Sequence, residues 1–187
     1  MNLKWLIPRR PQTIYKPGDD FKGVSYQAAW SVTGSTPAKY VKQENLDFRF
    51  PLNISTDNAR VIRYADVLLM LAEAKLLGCN DIGGAATLIN QVRRRVDPTG
   101  LILVDRSSAV SKDQMFAWLR HERMVELSFK GHRYNDLVRW HRANLINIKT
   151  DIDFGRAPAN QNWTPKYLIK PIPQRELDLN SNLKQIQ

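Results

Sequence analysis

Two glutamates spaced by four, Glu122 and Glu126, are the residues of this chain whose types and spacing could do chemistry, with His121 beside the first. On a helix they project from one face a turn apart, within the roughly 5–9.5 Å that separates the acid and base of a glycosidase. Arginines flank both, so the economical role of each carboxylate is an ion pair rather than proton donation. His121-Glu122 also begins like a zinc-protease motif. That motif needs a second histidine four residues after the first, and the position holds Val125. His132 and His141 have no helical relation to His121, and there is no glycine-rich phosphate loop or serine elbow. The expectation is no catalytic residue, no metal site and no cofactor.

The same carboxylates make better sense as structure. Glu122, Arg123 and Glu126 are followed closely by Arg133, Asp136 and Arg139. Burying such carboxylates unpaired would be prohibitive, so a network in which guanidinium forks hold Glu122, Glu126 and Asp136 is expected. A network of this kind fixes geometry more than it adds stability.

Helices must position these groups. Ser111-Lys112-Asp113-Gln114 has the form of a capping box, which places a helix start near Lys112. Met115, Trp118, Leu119, Glu122, Glu126 and Phe129 recur at spacings of three and four, and Gly131 is expected to end the helix as a left-handed cap. A shorter helix then runs from about Tyr134 to Arg142. Upstream, Ile62, Ala65, Leu68, Leu69, Ala72 and Leu76 form one stripe of a helix over residues 61–77. A second helix spans about Ala85 to Val96, with Ala86, Ile89 and Val92 inward. Ala72, Ala74, Ala85 and Ala86 permit close backbone approach, as in tetratricopeptide-type repeats. Leu101 to Val104 reads as an extended link, residues 143–165 as a long loop, and Gln174 to Leu179 as one helical turn after Pro171-Ile172-Pro173.

This order of motifs resembles the carboxy-terminal region of the SusD/RagB family of outer-membrane nutrient-binding proteins. The resemblance rests on Arg63-Tyr64-Ala65-Asp66-Val67-Leu68-Leu69-Met70 with Ala72-Glu73-Ala74, then Ile89-Asn90-Gln91-Val92-Arg93. It continues through Glu122-Arg123, Glu126-Leu127, Gly131-His132-Arg133, Asp136-Leu137 and Arg139-Trp140, and closes on Pro171-Ile172-Pro173, Glu176 and the stretch from Asn180 to Gln185. It covers about two thirds of the chain, from near Arg60 onward. Ser181 stands where the family usually has proline. The resemblance implies an all-α fold of tetratricopeptide-like helix pairs packed with a helix–Gly–helix unit and long irregular loops. It also implies a non-catalytic subunit that binds an oligosaccharide or other nutrient, works with a SusC-like TonB-dependent transporter and sits at the cell surface on the outer membrane. Family members are usually longer and carry a lipid-modified cysteine near their start. This chain therefore looks like the carboxy-terminal part of such a protein, with membrane association only through a lipid anchor that it lacks.

The remaining features bound that picture. Among 187 residues, 43% hydrophobic and 25% charged side chains are ordinary for a packed domain. The net charge of +10 raises the alternative of a basic helical-repeat scaffold that binds a protein or nucleic acid. The distribution argues against nucleic acid: residues 61–150 hold fourteen basic and nine acidic side chains, with many arginines beside carboxylates. The one cluster, Arg93-Arg94-Arg95, reads as a solvated helix end. Leu76-Leu77-Gly78-Cys79 spells a lipoprotein cleavage box, but Glu73 and Lys75 interrupt any apolar signal before it, so Cys79 reads as a loop or core thiol.

Residues 1–57 form a loop-rich aromatic segment expected to pack on a helical domain of residues 58–187. Sugar rings stack on exposed aromatic faces. Trp5, Tyr26, Trp30 and Tyr40 are accordingly the candidate ligand contacts, with Tyr26 and Trp30 four apart as if sharing the face of a short helix.

Overall fold

The structure, a computed structural model, describes residues 13–21, 23–38, 61–148 and 164–185. Within them the protein is all-α in its core. Five helices are present: α1 (Tyr64–Gly78), α2 (Ile82–Arg94), α3 (Lys112–Glu126), α4 (His132–Arg142) and α5 (Gln174–Leu179). Four two-residue strands precede them: β1 (Ile14–Tyr15), β2 (Asp20–Phe21), β3 (Val24–Ser25) and β4 (Thr36–Pro37). The chain divides into two compact units, residues 1–132 and 133–187.

In the first unit the strands form two antiparallel ladders, β1 with β4 and β2 with β3. Tyr15 pairs with Thr36, and Phe21 with Val24. The Pro17-Gly18 turn places Gly18 at φ +84°, a conformation that glycine reaches without steric cost.

α1, α2 and α3 pack on one another. α1 presents Leu69, Ala72 and Leu76, all 0% exposed, to this core. α2 adds Ala85, Ala86, Ile89 and Val92, and α3 adds Met115, Phe116, Leu119 and Val125. Each large apolar side chain buried here contributes about 1.5–3 kcal/mol. A three-residue connection returns α2 alongside α1, which is the tetratricopeptide-like pairing expected from the alanines. Ala72, Ala85 and Ala86 are buried at it, whereas Ala74 is exposed on the opposite side of α1.

Helix ends depart from the sequence-based reading in three places. α2 starts at Ile82, not Ala85, because the Asp81 carboxylate accepts the Gly84 backbone N–H at 2.7 Å and caps the helix across two glycines. Ile62 lies before α1 and is 71% exposed, outside the stripe assigned to it. α3 begins at the Ser111 cap, whose hydroxyl accepts the Gln114 N–H at 3.2 Å, but it stops at Glu126 rather than at Gly131. The Ser128 hydroxyl donates to the carbonyls of Met124 and Val125 at 2.6 and 3.0 Å and competes with helical continuation there. Phe129 and Gly131 then take positive φ, +59° and +79°, and Phe129 is half exposed rather than inward.

In the second unit, α4 buries Asp136 and Trp140. The chain after α4 turns back through the Leu145 N–H to the Trp140 carbonyl at 2.9 Å. The segment Pro165–Leu168 is a 3-10 turn, and Tyr134 donates its hydroxyl to the Tyr167 carbonyl at 2.8 Å. α5 spans the residues read as a single turn. Among the described residues, no helix is long and apolar enough to cross a membrane.

Candidate functional site

The charged residues of α3 meet partners on α1 and α2. Arg93 of α2 donates from Nη1 to Glu122 Oε2 at 3.2 Å, and its Nη2 donates to the Val104 carbonyl at 2.8 Å. Both side chains of the Arg93–Glu122 pair are 2% exposed. Glu126 Oε1 accepts from Arg63 Nη2 at 2.6 Å and from Arg95 Nη2 at 2.9 Å. Arg63 precedes α1 in extended conformation, and its Nη1 also donates to the Glu126 carbonyl at 3.2 Å, so one guanidinium ties the residue before α1 to the last turn of α3. Arg123 Nη1 donates to Asp66 Oδ1 of α1 at 3.0 Å, and His132 Nδ1 lies 3.9 Å from the other oxygen of Asp66.

Five side chains of the expected ion network thus fall as follows. Glu122, Arg123 and Glu126 converge with Arg63, Asp66, Arg93 and Arg95 in the first unit. In the second unit, Asp136 accepts a fork from Arg139 at 3.1 and 3.0 Å, with that guanidinium also 4.8 Å from the Trp140 ring centroid. Arg133 sits one turn before Asp136 on α4, half buried.

Within the arginine cluster only Arg93 departs from a solvated helix end, since the side chains of Arg94 and Arg95 are 63% and 57% exposed. Arg93 is buried on Glu122, Arg94 pairs with Asp105, and Arg95 pairs with Glu126. The three fan around the end of α2, as helical geometry requires, but each direction meets a carboxylate from a later segment. Asp105 and the glutamates are distant in sequence, and only their placement in space reveals the pairing.

The link between α2 and α3 completes the first unit. Asp97 accepts from the N–H groups of Ile102 and Leu103 at 2.8 and 2.7 Å and from the Thr99 hydroxyl at 2.8 Å. The Leu103 N–H and the other donors hold its carboxyl below the usual carboxylate range. Asn90 grips Arg106 like a strand partner, donating to its carbonyl at 3.0 Å and accepting its N–H at 2.7 Å. The Arg106 guanidinium lies 4.7 Å from the Trp118 ring centroid. Burial, then the nearby Arg93 charge, lower its pKa to about 10, so it stays a cation at neutral pH.

This arrangement holds geometry. Glu122 and Glu126 are both taken up by arginines, and among the described residues no three His, Cys, Asp or Glu side chains group to hold a metal. Cys79 is exposed at the end of α1.

Of the four aromatic candidates, Trp5 and Tyr40 lie outside the described residues. The backbone of Trp30 closes a short 3-10 turn, Ala28–Trp30. Tyr26 precedes that turn in extended chain and donates its N–H to the Asp19 carbonyl at 3.1 Å, so the two do not share a helix face. The Tyr26 ring is half buried and meets Tyr15 edge-on, 5.2 Å between centroids at 87°.

Helix pairing across short turns, tied by buried ion pairs, defines a tetratricopeptide-like helical domain. Comparison with known proteins gives its family. The family model described as the SusD family matches residues 8–187, and the chain belongs to that family.

SusD-like protein P25 of Formosa agariphila is 32% identical over 128 residues, which cover 67% of this chain and 23% of the relative. SusD-like protein P2 of the same organism is 29% identical over 135 residues, covering 69% and 25%. The crystal structure of a SusD homolog from Bacteroides thetaiotaomicron superposes with a TM-score of 0.56 at 26% identity, over 98% of this chain and 42% of the other. The chain therefore spans about a quarter of the length of these curated relatives.

Proposed function

We propose that this chain is the carboxy-terminal helical region of a SusD-like nutrient-binding subunit that serves a TonB-dependent outer-membrane uptake complex. The observation that carries this reading is the family match across residues 8–187. In this reading the protein is non-catalytic: it captures an oligosaccharide or related nutrient at the cell surface and passes it to a SusC-like transporter. The clamped state of Glu122 and Glu126 agrees with a positioning role for both.

Ligand contact is assigned to the aromatic segment, with Trp5, Tyr26, Trp30 and Tyr40 as stacking platforms and neighbouring amide side chains as hydrogen-bonding groups. That segment, residues 1–57, packs on the helical domain of residues 58–187 in this proposal. Exposed sugars exchange hydrogen bonds with water for hydrogen bonds with protein, so affinity per contact is modest.

The test is a thermal-shift panel of oligosaccharides with a nucleic-acid oligomer as control, at low and high salt. A ligand that binds only the folded chain raises Tm by mass action, about 2.7 kcal/mol of stabilisation at a hundredfold excess over Kd. A salt-insensitive rise with one class of sugar is the expected outcome. A shift with the nucleic acid alone, falling steeply with salt, would sink the proposal.

A further inference from the structure

The two units treat their cations differently. In the first, Arg63, Lys75, Arg93, Arg94, Arg95 and Arg123 each meet a carboxylate. In the second, Arg139 meets Asp136. Three other cations there meet rings and a carbonyl instead. The Lys166 ammonium lies 5.5 Å from the Tyr167 ring centroid, and the Lys170 ammonium 5.0 Å from that of Tyr134. Arg142 donates from Nη2 to the Leu168 carbonyl at 3.1 Å. Among the described residues, none of the three forms an ion pair, so their charge is not neutralised.

These groups make one exposed strip. Tyr134, Val138 and Arg142 recur every four residues on α4 and so share a face. The segment around Tyr167 lies along that face, because Tyr134 and Arg142 hold the adjacent carbonyls of Tyr167 and Leu168. Further along, Gln185 donates to the Ile172 carbonyl at 3.0 Å and accepts its N–H at 2.9 Å. Pro165, Pro171 and Pro173 fix φ between and beside these anchors. The strip is thus set before a ligand arrives, which lowers the ordering cost of binding. Tyr134 and Tyr167 are 36 and 49% exposed, and Arg142, Lys166 and Lys170 are exposed with them.

A tyrosine face beside a held cation matches a sugar that carries negative charge. The C–H face of the pyranose stacks on the ring, while a carboxylate or sulfate on the same sugar accepts charge-assisted hydrogen bonds from the cation. A neutral sugar can use only the ring. Nucleic acid fits less well, since its binding scales with the number of phosphates neutralised and three cations are few. We propose that Tyr134, Tyr167, Arg142, Lys166 and Lys170 form a second subsite, which takes an acidic oligosaccharide through its uronate or sulfate groups. The inference rests on the nutrient-binding reading of the chain and narrows the nutrient to the anionic class.

Amide NMR of the 187-residue chain during titration tests it. The probes are tetragalacturonate, tetramannuronate and a sulfated carrageenan tetrasaccharide, each beside its methyl-esterified or desulfated form, with a short DNA oligomer as control. At least one acidic probe is expected to move the amides of Tyr167 and Lys170, with Kd about tenfold below that of its neutral form. Lys166→Gln/Lys170→Gln should abolish that preference and leave the melting temperature near the parent's, because both side chains are exposed. Tyr167→Ala should weaken acidic and neutral forms alike; the bond from Tyr134 survives it, since its acceptor is main chain. Equal binding of acidic and neutral forms, or a preference that persists in the lysine double variant, would overturn the subsite. Sugar binding that leaves residues 164–170 unmoved would also overturn it, with the nutrient-binding reading still standing. The absence of binding by every sugar, with or without binding of the DNA, would remove both.

Discussion

Arg93 and Glu122 face each other across α2 and α3 at 3.2 Å with both side chains withdrawn from water. Removing one partner strands a buried charge, which costs about 3–5 kcal/mol. Arg93→Leu and Glu122→Leu should each lower stability by that order in urea unfolding. The double variant should recover much of the loss, because two apolar side chains satisfy each other. If the losses simply add, the pair is not the coupled unit that the geometry describes.

Glu126 is held by two arginines of different exposure: the side chain of Arg63 is 25% exposed and that of Arg95 is 57% exposed. Arg95→Ala should cost below about 1 kcal/mol, the range of exposed pairs. Arg63→Ala should cost more, because it also frees the Glu126 carbonyl at the end of α3. Equal effects in chemical denaturation would contradict this ranking.

Gly84 reverses an ordinary helix rule. Alanine is favoured over glycine within a helix by about 1 kcal/mol. A Cβ at position 84, however, would collide with the Asp81 carboxylate that caps α2 and pairs with Lys75 at 2.8 Å. Gly84→Ala should therefore lower Tm. Gly83→Ala, whose added Cβ meets Asp81 only at 3.9 Å, should not.

Asp97 sets a pH dependence. Its folded-state pKa is depressed, chiefly by the Leu103 N–H and the Thr99 hydroxyl. A depressed carboxyl contributes stability that is present above the unfolded pKa near 3.8 and lost as pH falls through the folded value. Melting followed from pH 6 downward should show the parent losing stability in the acid range. Asp97→Asn should be less stable at pH 6 and should lose less on acidification, and parallel curves would remove Asp97 as a contributor.

The helices of the core were largely legible in local sequence. Leu68, Leu69, Ala72 and Leu76 recur with helical period, and the Ser111 cap marks its helix start directly. What local sequence hid was set by distant partners or by competing short-range bonds. The Gly83-Gly84 pair looks like a turn until Asp81 caps it. The approach to Gly131 looks helical until the Ser128 hydroxyl takes the last carbonyls. Arg93 looks like part of a solvated end, as Arg94 and Arg95 are, because Glu122 reaches and buries it only through the tertiary fold. Asp66 stands in an apolar helix motif, and nothing local marks it as the acceptor of Arg123. The edge-on contact of Tyr26 with Tyr15 depends on a strand pairing too short to leave a periodic signal.

The paired grip of Asn90 on both backbone groups of Arg106, with Asp97 holding the start of the same link, has a kinetic consequence. A connection without helix or ladder ordinarily opens on its own and exchanges its amide protons quickly. Here the amides of Leu103 and Arg106 can be released only by detaching side chains anchored at the end of α2. Their exchange with deuterium should follow the slow opening of that helix, although the side chains of Leu101 and Val104 beside them are exposed.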